Sequence, residues 1–218
     1  METSLFDYHP DSQVIIEKYY ALLMSESDRG AILLGVSILD ELLTGLFREI
    51  TPSNISKTQL DKLFDSRGPF GELSSKLDIA IVCNLIPTNV VESIHKIRKL
   101  RNKLAHRTSP FSLKENLNSI YDAFFALDKA APSCFLSISH DAIYENFIVK
   151  MMAFDSEGDK LFSSREDVAN FLMNKPDLLD VLMEKRIKAL FVVGISTLAA
   201  LIIFHREIAV KKLAGVNA

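Results

Sequence analysis

Apolar residues along this chain recur at three- and four-residue spacing rather than in alternation, and Gly-rich hairpin signals are missing. That pattern predicts an all-α protein. A first helix is expected from Asp11 or Ser12, with Ile15, Tyr19, Leu22 and Leu23 on one face. A second is expected from Asp28 to Ile50. Its stretch Ala31–Leu39 carries no charge, so it should be buried almost all round as a central helix. Asp40 and Glu41 then open a polar side, while Leu42, Leu43, Leu46 and Phe47 continue the core stripe, and Thr51-Pro52-Ser53-Asn54 ends the helix.

A short helix is expected over Gln59–Asp65, followed by a tight turn at Gly68-Pro69-Phe70-Gly71. The next helix should run from about Glu72 to Leu85 and stop at Pro87, with Thr88 as N-cap of its successor. In that successor Val90, Ile94, Ile97, Arg101 and Leu104 recur at intervals of four, three, four and three. Arg101 is therefore expected in line with the core stripe, where an arginine is costly unless it is paired or lines a cleft. Thr108-Ser109-Pro110 favours an end near Ala105. Ser112 and Glu115 have capping-box spacing and open a helix with Leu113, Leu117, Ile120, Tyr121 and Phe124 on its apolar side, which Pro132 should close.

Beyond Pro132, Phe135–Ile138 reads as a short extended piece, His140–Phe154 as helix and Asp155–Asp159 as a loop. Ser163 with Glu166 opens a short helix that ends before Pro176. A long helix then fits Leu178 to about Leu213. Its uncharged run, Ala189–Phe204, has sixteen residues, fewer than the ~20 a membrane span needs, so a core or subunit-interface helix is expected and a membrane role is not. The domain reading is a helical core over 1–132 and a C-terminal helical extension over 133–218, packing on the core or at a subunit interface.

With 218 residues, 48% of them apolar, the chain can build a sizeable core. Its net charge of −3 gives no overall attraction to nucleic acid or anionic membrane. The distribution changes that picture locally. Lys96, Arg98, Lys99, Arg101, Lys103 and Arg107 crowd one stretch without an acid, either as a solvated helix face or as a phosphate-binding surface. Cys83 and Cys134 sit among apolar neighbours and read as buried, reduced thiols. No histidine has metal-ligand spacing, so no metal and no cofactor is expected. Met1–Asp7 has neither the basic nor the apolar region of a signal peptide, which points to the cytoplasm.

Two motifs carry a resemblance. Arg101-Asn102 with His106 five positions after the arginine resembles the signature of the HEPN superfamily of all-helical proteins, many of them metal-independent ribonucleases. Gly68-Pro69-Phe70-Gly71-Glu72-Leu73-Ser74-Ser75-Lys76-Leu77 is similar to the hallmark segment of the mannitol operon repressor family, whose members carry a HEPN-like core. Both resemblances imply a HEPN-like antiparallel helical bundle with an added C-terminal helical region. They point to two functions. One is a cytoplasmic regulatory protein that acts through a protein partner, since no helix-turn-helix is evident and sequence-specific DNA binding by the chain itself is not expected. The other is an endoribonuclease, with Arg101 on the scissile phosphate, His106 as general base, Asn102 as orienting group, and Lys96, Lys99, Lys103 and Arg107 holding RNA.

In active relatives of this kind two subunits bring their motifs together, which implies a homodimer. The long apolar runs at Ala31–Leu39 and Ala189–Phe204 are expected to supply surplus surface for one. The competing reading is structural. His106 then only bonds the terminal carbonyls of its helix, and Arg101 pairs with an acid such as Asp40.

Overall fold

A computed structural model describes residues 12–105, 111–156 and 159–215. Ten α-helices appear among them: α1 (Ser12–Met24), α2 (Asp28–Ile50), α3 (Lys57–Phe64), α4 (Leu73–Val82), α5 (Thr88–Ala105), α6 (Leu117–Leu127), α7 (Ala131–His140), α8 (Asn146–Ala153), α9 (Arg165–Met173) and α10 (Pro176–Leu213). The chain is all-α. The β pairing seen among the described residues is one antiparallel pair, β1 (Asp155–Ser156) with β2 (Asp159–Lys160).

The organising element is α10. It packs along α1 and α2 on one side and against α7 on another, with α5 and α6 closing the bundle. Every residue from Ala189 to Ala199 is buried, whichever way it points. Among the described residues two helices, α2 and α10, are long and apolar enough to cross a bilayer, but 78% of the apolar window of α10 is already buried inside the chain. That is how the centre of a helical bundle is built. Most of the apolar run is thus packed within one chain, with Ala200, Ile203 and Phe204 only half-buried. Close approach needs a small residue at one point. A Cβ on Gly194 would stand 2.0 Å from Cζ of Phe124, whose ring meets Phe135 edge-on at 5.2 Å.

The start of α2 is capped by Ser27, whose hydroxyl accepts from the Gly30 amide at 3.0 Å. Asp28 reaches across to the later helices, accepting from the Leu113 amide at 2.9 Å. Lys188 ties α10 to the end of α1 by donating to the Met24 carbonyl at 3.0 Å and to the Glu26 carbonyl. Burial of α2 is less complete than its uncharged start predicts, because Leu33 and Ser37 stay exposed. In α1, Leu23 is buried while Leu22 faces out.

The Gly68–Gly71 turn is a packing device. Gly68 donates to the Asp65 carbonyl at 2.7 Å and Phe70 to the Leu63 carbonyl at 2.9 Å, so the turn folds back on the end of α3. There is no room for a side chain at either glycine: a Cβ would lie 2.3 Å from the Lys62 carbonyl oxygen at Gly68 and 2.2 Å from that of Asp65 at Gly71. The fold-back presses Phe70 onto Phe47 of α2 (4.5 Å, stacked) and beside Phe64 (5.1 Å), and Arg48 covers the outer face of Phe64. This seats α3 on α2 and aims the first turn of α4.

Several local expectations change. Helix α4 stops at Val82, before Leu85, because Asn84 turns into the left-handed region (φ 51°) and Leu85 donates back to the Ala80 carbonyl. Pro132 does not close α6. That helix ends at Leu127, and Pro132 sits in the first turn of α7, where its missing N–H costs nothing. Phe135–Ile138 is helical, since Phe135 is wholly buried beside Phe124 at helical register. From α7 the chain passes through a π-helical turn (Asp141–Glu145) into α8 without a break.

The cap of α9 is Ser164 with Asp167, one residue later than the Ser163–Glu166 pair. Ser112 and Glu115 form no capping box. The chain makes a 3₁₀ turn over Lys114–Asn116 instead, with the Ser112 hydroxyl accepting from the Lys114 amide. Cys83 and Cys134 are exposed free thiols rather than buried ones. Cys83 is the C-cap of α4, where the chain turns outward, and Cys134 lies on the outer face of α7.

Candidate functional site: a polar cleft between α2, α4 and α5

The basic stretch lies on α5, and the helix divides it between two sides. At ~100° per residue, Lys96, Lys99 and Lys103 fall on one side, while Arg98, Arg101 and Asn102 fall on nearly the opposite one. The lysines border a shallow groove of about 280 Å³ shared with Ser119 and Asp122 of α6. Lys96 is partly engaged there, donating to the Asp122 carbonyl at 3.2 Å and pairing with Glu92 at 3.7 Å. Arg98, Arg101 and Asn102 line a separate cleft of about 340 Å³ with Ser37 and Asp40 of α2 and Ser74 of α4. The candidate RNA-holding lysines and the candidate catalytic arginine therefore do not share a surface.

Arg101 is exposed, not part of the buried stripe. The reason is a drift of the buried face along α5. Val90, Val91 and Ile94 fill the core in its first half, and Ile97, Leu100 and Leu104 do so in its second. As the helix turns its later residues toward α6, Arg101 is left at the rim of the cleft. Its Nη1 donates to the Oδ1 of Asn102 at 3.2 Å, and it has no ion pair among the described residues.

The partner suggested for it, Asp40, is occupied elsewhere. Asp40 Oδ1 meets Lys76 Nζ at 2.6 Å, and Lys76 also donates to the Thr44 hydroxyl at 2.7 Å. The Lys76 side chain is only 3% exposed and that of Asp40 36%, so a buried ammonium is held at the back of the cleft by a carboxylate on its wall. His106 and Arg107 lie outside the described residues, so no geometry is assigned to the arginine–histidine pair.

The residues missed in the sequence are Lys76, Thr44, Ser37 and Ser74, and Arg98 is read there only as one member of the basic stretch. A signal for Lys76 existed: it stands three residues after Leu73, next to Leu77 and four before Ala80, on the buried stripe of α4. A lysine there must find an acid. Arg98 had no comparable signal, because only the positions of α2 and α4 make its side of α5 a cleft wall. The Nε of Arg98 is buried and has no hydrogen-bond partner. At the start of α4 the N-cap Glu72 makes no side-chain capping bond, and its Oε2 instead lies 3.4 Å from the Ser74 hydroxyl.

Two histidines are electrostatically perturbed. His95 on α5 is held below its usual pKa by burial and by the neighbouring Arg98, against the pull of Asp78 at 3.6 Å. His205 on α10 is lowered by burial and then by Lys212, and it borders a second, larger cavity of about 560 Å³ between the Cys83–Pro87 turn and the end of α10. Among the described residues no group of His, Cys, Asp and Glu side chains is arranged to hold a metal ion. No protein-family model, curated protein or solved structure matches this chain. What fold and cleft define is an all-α protein with a polar, arginine-lined recess on a packed helical core.

Proposed function

We propose that this chain is a cytoplasmic regulatory protein of the mannitol-operon-repressor type, built on a HEPN-type helical core and acting by association with protein, first with a second copy of itself. The observation that carries the reading is where apolar surface remains. Val149, Phe154, Leu161, Met173, Leu179, Val181 and Met183 are all large, apolar and exposed and lie along the segment from α8 to the start of α10, while Val14, Val82, Phe125 and Leu213 are exposed elsewhere. A run of exposed apolar side chains along one segment favours an association surface. The basic residues of α5 are split over two sides, which suits a continuous duplex track poorly.

The expected outcome is a homodimer by light scattering at micromolar concentration, reduced to monomer by Met173→Glu with Val181→Glu. Little sequence-selective affinity for duplex operator DNA is expected from the purified protein alone. A clean monomer, or tight selective DNA binding without a partner, sinks the reading.

A second reading, the metal-independent ribonuclease, is supported by one feature: Arg101 stands at the rim of a cleft beside Asn102 and has no ion pair among the described residues. An arginine so placed can offer two parallel bonds to a phosphate, and His106 follows directly on the last residue of α5. Cleavage of single-stranded RNA would then persist in a chelator and leave 2′,3′-cyclic phosphate ends. His106→Ala would slow it by ~10²–10⁴-fold, the usual cost of losing a positioned base. Equal behaviour of wild type and His106→Ala toward total RNA removes this reading.

A further inference from the structure

We propose that the cleft between α2, α4 and α5 binds a terminal phosphate monoester. The inference stands on the cleft itself and does not depend on the association or the ribonuclease reading. Arg98 and Arg101 lie one turn apart on α5 and both line the recess, so two guanidinium groups face one small volume. The buried Nε of Arg98 has no partner, which leaves a donor with an unmet need inside the protein.

Opposite them begins α4, a ten-residue helix whose first amides receive no side-chain cap. The start of a helix carries free N–H groups and a partial positive charge, and both favour an anion. Ser37 and Ser74 add hydroxyl groups at the wall.

The charges in the recess leave a positive excess. Asp40 is neutralised by Lys76 at 2.6 Å, so its carboxylate repels an incoming anion only weakly. Among the lining residues Glu72 is the other carboxylate, and it is exposed, with one long contact of 3.4 Å from Ser74. Two arginines against that one acid favour a group of charge near −2. A phosphate monoester carries about −1.5 to −2 at neutral pH and presents three acceptor oxygens. A carboxylate has neither the charge nor the acceptors to use two guanidinium forks and the helix amides together. The recess, about 340 Å³, is the size of a phosphate with a small organic unit attached. Asp40, Asn102 and Ser37 can receive or donate bonds to hydroxyl groups on that unit.

The phosphate can sit on a small metabolite or at the end of a nucleic acid, and titration calorimetry on the full chain separates the two. One arm compares glycerol 3-phosphate with glycerol. The other compares an RNA tetranucleotide carrying a 5′-phosphate with the same sequence ending in a 5′-hydroxyl. Phosphate-dependent binding is expected in the first arm, and its appearance only in the second assigns the site to a nucleic-acid end. Arg98→Gln should weaken that binding about tenfold or more, the loss expected for one charge-assisted contact. Arg98→Lys, which keeps charge but not the fork, should recover part of it, and Lys150→Gln on the distant helix α8 should leave it within about twofold.

Thermal unfolding of each variant shows whether it folds. If Arg98→Gln unfolds, the Arg98→Lys comparison decides. Binding that ignores the phosphate in both arms, or that survives loss of the Arg98 guanidinium unchanged, overturns the assignment. Binding is read without turnover, so a chain that cuts no RNA can still bind, and one that cuts RNA can still fail this test.

Discussion

The middle of α10 and the recess beside α5 solve opposite problems within the same bundle. From Ala189 to Ala199 the chain is apolar or small on every side and is filled by neighbours, down to a glycine that leaves space for one ring. Around Arg98 and Arg101 the walls are charged, a lysine and an aspartate are locked together behind them, and space is left open. Close packing maximises dispersion and burial but leaves no volume for anything else. A recess persists only where its walls are polar enough to stay hydrated or to await a ligand. Chemistry in this protein is therefore to be sought at α5, and stability at α10.

The strongest way to break that contrast is to add one carbon at the packed site. Gly194→Ala places a Cβ 2.0 Å from a buried phenyl ring that is itself braced by Phe135. Overpacking of this kind costs about 3 kcal/mol, beyond the ~1 kcal/mol that alanine returns in helix propensity. Thermal unfolding should shift down by roughly 4–8 °C for a chain of this size. An unchanged midpoint would mean that the ring moves freely and that the site is not tightly packed.

A smaller loss is expected from the recess wall. Asp40→Ala leaves the Lys76 ammonium buried with only the Thr44 hydroxyl as partner. Breaking a fully buried pair costs ~3–5 kcal/mol. With Asp40 partly exposed, about 2 kcal/mol is expected, measured by urea unfolding. Lys76→Met should cost less than Asp40→Ala, because the aspartate left behind can still reach water. The reverse order would mean that the carboxylate, not the ammonium, is the group in need of its partner.

The smallest effect sharpens the comparison at the place where α10 leaves the core. Burial holds the His205 pKa below its unfolded value of 6.5, and Lys212 adds to the shift. Between the folded and unfolded values the unfolded chain binds more protons, so stability falls as pH drops below about 6.5 and is fully present above it. His95 shifts the same way and contributes in the same window. His205→Gln should flatten the fall without removing it. A fall of unchanged steepness would place its origin elsewhere.

Sequence pattern alone determined the helices that depend on local information. The bounds of α2 are the expected ones, since Ser27 caps its start and Thr51-Pro52 stops it. The short helix before Gly68 and the long final helix also follow from periodicity and breakers. Cap positions in the second half slipped by a residue where two serines stood side by side, as at Ser163 and Ser164, because either can bond an amide and packing selects one.

The tertiary structure alone decided which polar residues meet. Arg101 shares the spacing of the core stripe, yet the buried face of α5 drifts toward α6 and leaves it at a rim. Asp40 was equally available to Arg101 or Lys76 by sequence, and the turn at Gly68–Gly71 brought Lys76 to it by aiming α4. Periodicity states which side of a helix is apolar. It does not state which neighbour lies across from the polar side, and that neighbour determines whether a charge is paired, exposed or part of a site.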